Sequence, residues 1–311
     1  MQNQGQAVDR SESVFQRIAG SQRIAPYLFI APFFVFFAVF MIWPIFRSLY
    51  MSFFEFKGIE NSIFVGLHNY TALFKEERFT RALFNTTYFA FGMIVLTLII
   101  SFSLSLILGS KLIPGRKVYR LVFFLPILTS IIVAGAIFKL IFLDTEAGLL
   151  NFIISLFGVP AQRWLLDKYW AINCVLVMAF WRRMGLNAMY FVAGLQSLPD
   201  DLYESAVIDG ASSWQQLRYI TIPLMRPIIS FVIIITLIYA YLAFDEVFVL
   251  NPAGAMDSVQ NNMVTLGYYL YESAFQFFKF GYGSAVGFIM TIIILGISVF
   301  QLKLLGVFRT D

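Results

Sequence analysis

Six apolar stretches separated by polar connections leave this chain few ways to fold. They lie near residues 27–54, 84–109, 121–143, 170–197, 228–250 and 284–305 of the 311. As a helix rising about 1.5 Å per residue, each is long enough to cross about 30 Å of hydrocarbon. Hydrophobic residues make up 59% of the chain and charged residues only 13%. Mean hydropathy is +0.78, far from the globular average. The 36 Phe, 15 Tyr and 5 Trp suit helix packing and the two membrane interfaces. The expected fold class is an all-α polytopic membrane protein with six transmembrane helices. An even number of spans puts both termini on one side.

Loop charge chooses that side. The connection between the second and third stretches, KLIPGRKVYR, carries Lys111, Arg116, Lys117 and Arg120 and no acid. The N-terminal tail adds Arg10, Arg17 and Arg23, and the C-terminal tail adds Lys303 and Arg309. The 55–83 connection instead balances Lys57, Lys75, Arg78 and Arg81 against Glu55, Glu60, Glu76 and Glu77. Basic loops stay on the inner side, so both termini are expected in the cytoplasm. Residues 1–26 read as a cytoplasmic tail and 27–311 as a single transmembrane domain. The first apolar stretch is too long for a signal-peptide core and reads as an uncleaved span. The +4 net charge comes from scattered residues and gives no footprint for nucleic acid. One Cys (Cys174) and one His (His68) argue against a disulfide or a His/Cys metal site.

One polar interruption is too ordered for a passive connector. From Pro199 to Pro227 the sequence reads PDDLYESAVIDGASSWQQLRYITIPLMRP. Asp201 and Glu204 have capping-box spacing, and Ser213 with Gln216 repeats it, so two short helices are expected. Gly210 between them can take positive φ and suits a helix end. Pro223 and Pro227 stop the second helix. The pattern describes a rigid cytoplasmic knob at 199–227 with apolar anchors Leu202, Trp214 and Leu217 beside an acid, Glu204.

The chain resembles a membrane-spanning permease subunit of a binding-protein-dependent ABC importer of the maltose, lactose and glycerol-3-phosphate type. The likeness runs in order through FVGLHNYTALF (64–74), RFTRALFNTTYF (78–89), GLLN (148–151) and RWLLDKYWA (163–171). It continues through AGLQSLPDDLYESAVIDGA (193–211), FDEVFVL (244–250) and YESAFQFFKFGYGSA (271–285). The element from Ala193 to Pro223 is the most specific. It resembles the family's coupling loop, written EAA followed by DGA, with Glu204, Ser205 and Ala206 at the first triplet and Asp209, Gly210 and Ala211 at the second. Ser205 and Leu217 are mild departures, and Asn251-Pro252-Ala253-Gly254 replaces a glycine-rich outer turn. The resemblance implies a type I ABC importer permease fold in a prokaryotic inner membrane. It implies coupling to an ATPase through Glu204, Ala206, Asp209, Gly210, Ala211, Trp214 and Leu217. The implied partners are a second homologous permease, two nucleotide-binding ATPase subunits and an extracytoplasmic solute-binding protein. The implied cargo is a sugar-like solute. ATP and Mg belong to the partner subunits, and no cofactor is expected on this chain. In agreement, GSKLIPGRK (109–117) has the wrong glycine spacing for a phosphate loop and no Lys-Ser/Thr after its second glycine.

Charges inside apolar stretches are functional candidates. Arg182 and Arg183 lie within the fourth stretch, in a segment that, with Leu186, resembles the substrate-lining part of the maltose permease. Their structural alternative is pairing with Asp245 or with acids of the other permease. An anionic or heavily hydroxylated solute would suit such donors. On the fifth stretch Thr236, Tyr239 and Ala243 share one face by periodicity, with Asp245 beyond them near the outer end. Ordinary helix packing accounts for them equally well. Gly283 and Gly287 read as a close-packing pair. The competing function is an ion-gradient-driven secondary carrier using Asp245 and the arginines. It lacks repeat symmetry and leaves the knob unexplained. No HExxH motif or serine-lysine dyad supports a membrane enzyme.

Overall fold

The computed structural model describes residues 25–57, 61–110, 113–251 and 260–304. Most of the tail at 1–26, Lys111, Arg309 and the turn at 252–254 lie outside them. Helix dominates, as the apolar stretches require. The protein is a mostly helical membrane protein, and the first helix, α1 (Pro26–Ser52), is followed by the one departure from an all-α chain among the described residues. Strands β1 (Phe54–Lys57) and β2 (Asn61–Phe64) pair antiparallel with Phe54 opposite Phe64. Their rings meet edge to face at 5.3 Å, and Asn69 donates to the carbonyls of Ser52 and Phe54. Asn69 belongs to α2 (His68–Leu73).

Three helices are long and apolar enough to cross a membrane by themselves: α1, α3 (Glu77–Gly109) and the last helix, Phe280–Lys303. The expected second span therefore starts earlier than residue 84. The expected third span is broken. Helices α4 (Arg116–Leu128) and α5 (Ile131–Ile141) meet at 95°. Thr129 and Ser130 are extended there, just after Pro126 has removed a backbone donor from the last turn of α4. A short α6 (Leu149–Ser155) follows, with Asn151 bonded to the carbonyls of Leu143, Thr145 and Gln162.

The helix of the fourth apolar stretch, α7 (Ala171–Gln196), is continuous although it carries Asn173, Arg182, Arg183 and Asn187, and fourteen of its residues are buried. It packs against α3, α4 and α10. At Gly185 a Cβ would lie 1.8 Å from the carbonyl oxygen of Phe123, so only glycine lets α4 approach so closely. The chain next forms α8 (Asp200–Ile208) and α9 (Ser213–Leu224), then bends 68° into α10 (Arg226–Tyr241). The expected fifth span to residue 250 thus ends at Tyr241, and α11 (Asp245–Leu250) is a separate helix. Short helices α12 (Gln260–Met263) and α13 (Leu266–Tyr271) lead to α14 (Phe280–Leu304). A Cβ on Gly283 would meet the Ala274 methyl at 2.7 Å, in keeping with a close-packing role. Counting each bent pair as one span gives five candidates by length and composition.

Candidate functional site

Two constellations stand out, one after the C-terminus of α7 and one midway along it. The first is the helix pair after its C-terminus. Helix α8 opens on Pro199, and no side chain caps it, so Asp201 and Glu204 do not form the expected box. Asp200 and Asp201 sit inside the first turn instead, where the positive end of the helix dipole favours acids. At the other end Gly210 has φ of 78°. Its N–H donates to the Val207 carbonyl at 3.0 Å, and that of Ala211 to the Ala206 carbonyl at 2.9 Å. These two bonds make a Schellman turn, which needs the left-handed residue that glycine supplies without strain. The second cap lies one residue earlier than expected. Ser212 accepts from the Gln215 N–H while the Gln215 side chain accepts from the Ser212 N–H at 2.7 Å. Ser213 is the first residue inside α9, and Gln216 bonds instead to the Ala211 carbonyl.

A hydroxyl pair, Tyr203 and Thr221 at 2.9 Å, ties α8 to α9. Ala206 is buried, whereas Glu204 and Asp209 are exposed and Ala211 and Leu217 are half-buried. Trp214 is 65% exposed, and three apolar residues missed in the sequence join it: Val207, Ile208 at 85% and Tyr219 at 70%. An apolar pair ending a polar helix was the available signal for Val207 and Ile208. A cleft of about 280 Å³ opens beside Asp209, Gly210, Ala211, Gln215 and Tyr219. Met225, fully buried at the 68° bend, packs with Phe191 of α7 and Val232 of α10. The helix pair is therefore joined to two long helices at one buried joint.

The second constellation lies midway along α7. The break after α4 leaves the Thr129 carbonyl without a helical partner, and Arg182 donates to it at 3.4 Å. Another Arg182 nitrogen pairs with Glu246 at 3.4 Å. The acid that takes this arginine is thus Glu246, 3% exposed, and not Asp245, which is exposed in the first turn of α11. Tyr239 donates to the same carboxylate. The Arg183 guanidinium lies 3.9 Å from the centre of the Tyr239 ring, a cation–π contact. Two guanidinium groups and one carboxylate leave one positive charge. The Nε of Arg183 is buried with no partner among the described residues. Thr236 is fully buried and Leu186 half-buried. Ala243 does not share the face of Thr236 and Tyr239, because the helix has ended; it is buried, and its carbonyl accepts from Thr265 at 2.6 Å.

A third polar group joins the first turn of α3 to the segment after α13. Arg78 and Glu272 pair at 2.7 Å. Burial pushes the Glu272 carboxyl above its ordinary value, against the pull of Arg78.

The family described as binding-protein-dependent transport system inner membrane component matches residues 101–305. The chain belongs to this family. The permease is 39% identical over 291 residues to the arabinooligosaccharides transport system permease protein AraP of Bacillus subtilis (strain 168), covering 94% of this chain and 91% of that one. It is 31% identical to the trehalose/maltose transport system permease protein MalF of Thermococcus litoralis, covering 92% and 94% of the two chains. Its fold matches a solved bacterial ABC transporter involved in import of the acidic polysaccharide alginate, with a TM-score of 0.78, 23% identity and 90% of this chain covered. The permease is accordingly a multi-pass inner-membrane subunit of an ABC importer and is not itself an ATPase.

Proposed function

We propose that this permease forms half of the translocation pathway of an ATP-driven importer for a sugar or oligosaccharide. A second, homologous permease supplies the other half. Two ATPase subunits bind ATP and Mg, and an extracytoplasmic binding protein delivers the solute. The spans are α1, α3, the α4–α5 pair, α7, α10 and α14, with both termini in the cytoplasm. They make a single transmembrane domain over 27–311, with the coupling loop at 199–227.

The observation that carries this reading is the helix pair α8–α9. Its Schellman turn, capping box and Tyr203–Thr221 bond make it stiff, while Trp214, Ile208 and Tyr219 crown it with exposed apolar surface. Exposed aromatic anchors next to an acid are what a partner's cleft engages. In this reading Glu204, Asp209, Gly210, Ala211, Trp214 and Leu217 meet the ATPase, and Ala206 holds the two helices together from inside. Closure of the ATPase pair moves the knob as one body. The buried joint at Met225 passes that motion to α7 and α10, which carry Arg183 and Tyr239. Those two, with Arg182, Leu186 and Thr236 nearby, border the solute pathway. The saccharides named for AraP and MalF support a carbohydrate cargo.

The test is co-expression with the partner permease and ATPases, followed by uptake in proteoliposomes. Glu204→Lys is expected to leave membrane insertion intact and to lower transport per ATP at least tenfold. Transport by this chain without any ATPase would overturn the reading.

A further inference from the structure

A second polar cleft has no part in this scheme. It opens between α3, the turn before α7 and α12, with a volume of about 470 Å³, and its lining includes Phe84, Asn85, Lys168, Tyr169, Asn262 and the Arg81–Glu77 ion pair at 3.3 Å. That volume is in the range of small-ligand clefts, about 300–1,000 Å³. Its floor is fixed. The Asn85 amide donates to the Val264 carbonyl at 3.0 Å, and the Asn262 amide to the Leu166 carbonyl at 3.4 Å.

Its rim carries an aromatic ring on a hydrogen-bonded backbone, with the Lys168 ammonium 5.8 Å from the ring centre. Both backbone groups of Tyr169 are taken: its N–H donates to Asp167 at 2.7 Å and its carbonyl accepts from Asn173 at 2.7 Å. Asn173 is itself fixed by the Tyr88 hydroxyl at 2.9 Å. Yet the Tyr169 ring is 73% exposed, and Phe84, also lining the cleft, is 70% exposed. Scattered exposed aromatics need no explanation. Two in one cleft, one on a locked backbone, among planar amides and charged donors, form a pre-organised surface. Aromatic faces take the C–H faces of sugar rings, while amide, guanidinium and ammonium groups take the hydroxyls.

Position supports a separate role. Tyr169 precedes the first residue of α7 and the knob follows its last, and the 26 residues between span about 39 Å at about 1.5 Å each. The cleft is at the outer face if the knob is at the inner one. We infer that this cleft is an outer saccharide subsite, which holds the oligosaccharide cargo after release by the binding protein and before it reaches Arg183 and Tyr239. The inference rests on the carbohydrate-importer reading above.

The complete importer in proteoliposomes, with its binding protein, is offered radiolabelled di- to tetrasaccharides of pentoses, hexoses and uronic acids. Failure to import any of them overturns the carbohydrate reading itself. The saccharide that is imported is then titrated by equilibrium dialysis onto the importer without binding protein, in an Arg183→Ala background that removes the pathway contact. Tyr169→Ala is expected to weaken binding about tenfold, and Tyr169→Phe, which keeps the ring, to stay within about twofold. If Tyr169→Ala does not assemble, Phe84→Ala on the same cleft replaces it, with the same tenfold loss expected. Undetectable binding before the cleft is altered, or unchanged binding in the alanine variant, overturns the inference. So does a variant that binds saccharide normally but docks the binding protein at least fivefold more weakly, because the cleft is then a protein contact.

Discussion

Arg183 lies over the ring of Tyr239 at 3.9 Å, while the hydroxyl of that tyrosine and the neighbouring Arg182 both engage Glu246. One carboxylate thus serves Arg182 and Tyr239, and Arg183 keeps its charge without an acid among the described residues. A half-buried guanidinium whose Nε is shut away from water is costly unless something completes it. In the proposed pathway the solute does so. Arg183→Ala is expected to raise the concentration for half-maximal uptake about tenfold, equivalent to about 1.4 kcal/mol, with assembly unchanged. Unchanged apparent affinity would remove Arg183 from the pathway.

The Arg182–Glu246 pair behaves differently. Both members are largely buried, at 15% and 3% side-chain exposure. Glu246→Ala strands the Arg182 guanidinium and is expected to cost about 3–5 kcal/mol. The double variant Arg182→Met/Glu246→Leu removes the stranded charge and should be more stable than Glu246→Ala alone. Thermal unfolding of the unaltered protein, Glu246→Ala and the double variant in detergent reads this directly, and a double variant no more stable than Glu246→Ala would contradict it.

The cap of α9 rests on Ser212 rather than Ser213. Ser212→Ala should loosen this helix by about 1 kcal/mol, and Ser213→Ala should change almost nothing. Hydrogen exchange at residues 213–217 distinguishes the two, and equal protection in both variants would contradict the cap.

Gly210→Ala places a Cβ at a φ of 78°, which disfavours an L residue by about 1 kcal/mol. Nothing lies within 4 Å of the new atom, so the effect is conformational and not steric. The expected result is reduced transport per ATP hydrolysed, with membrane insertion and complex assembly retained. Wild-type coupling would mean that the turn's shape is immaterial.

Glu272 links stability to pH. Burial raises its carboxyl above the ordinary carboxylate value of about 4.3. The folded protein then holds a proton that the unfolded chain has lost, so stability falls as pH rises from the ordinary value through the folded-state one. Glu272→Gln should flatten that slope in melts recorded across the acid range. A slope equal to that of the unaltered protein would assign it to another group.

The apolar stretches were legible because a membrane demands length and composition, both local properties. The knob was legible for a similar reason: Gly210 performs the turn expected of it. The cap of α9 lies one residue earlier than expected, at Ser212, because Ser-Ser offers two equivalent registers in sequence; at Asp201 no box forms, because α8 already starts after Pro199 and both aspartates fall inside its first turn. The ribbon at 54–64 and the helix end at Tyr241 were not legible. Both depend on distant contacts, such as Asn69 with Ser52 and Thr265 with Ala243.

The sequence by itself determined that this chain crosses a membrane, that it carries a turn-linked helix pair after its fourth apolar stretch, and that no phosphate loop accompanies it. Local rules suffice for those, since spans, caps and turns answer to neighbours a few residues away. Only the tertiary structure decided that Arg182 is matched by Glu246, 64 positions on, and that Arg183 faces Tyr239 without a counter-charge among the described residues. Pairing of buried charges depends on where the 95° break between α4 and α5 and the end of α10 at Tyr241 bring side chains together, and no local rule encodes that meeting.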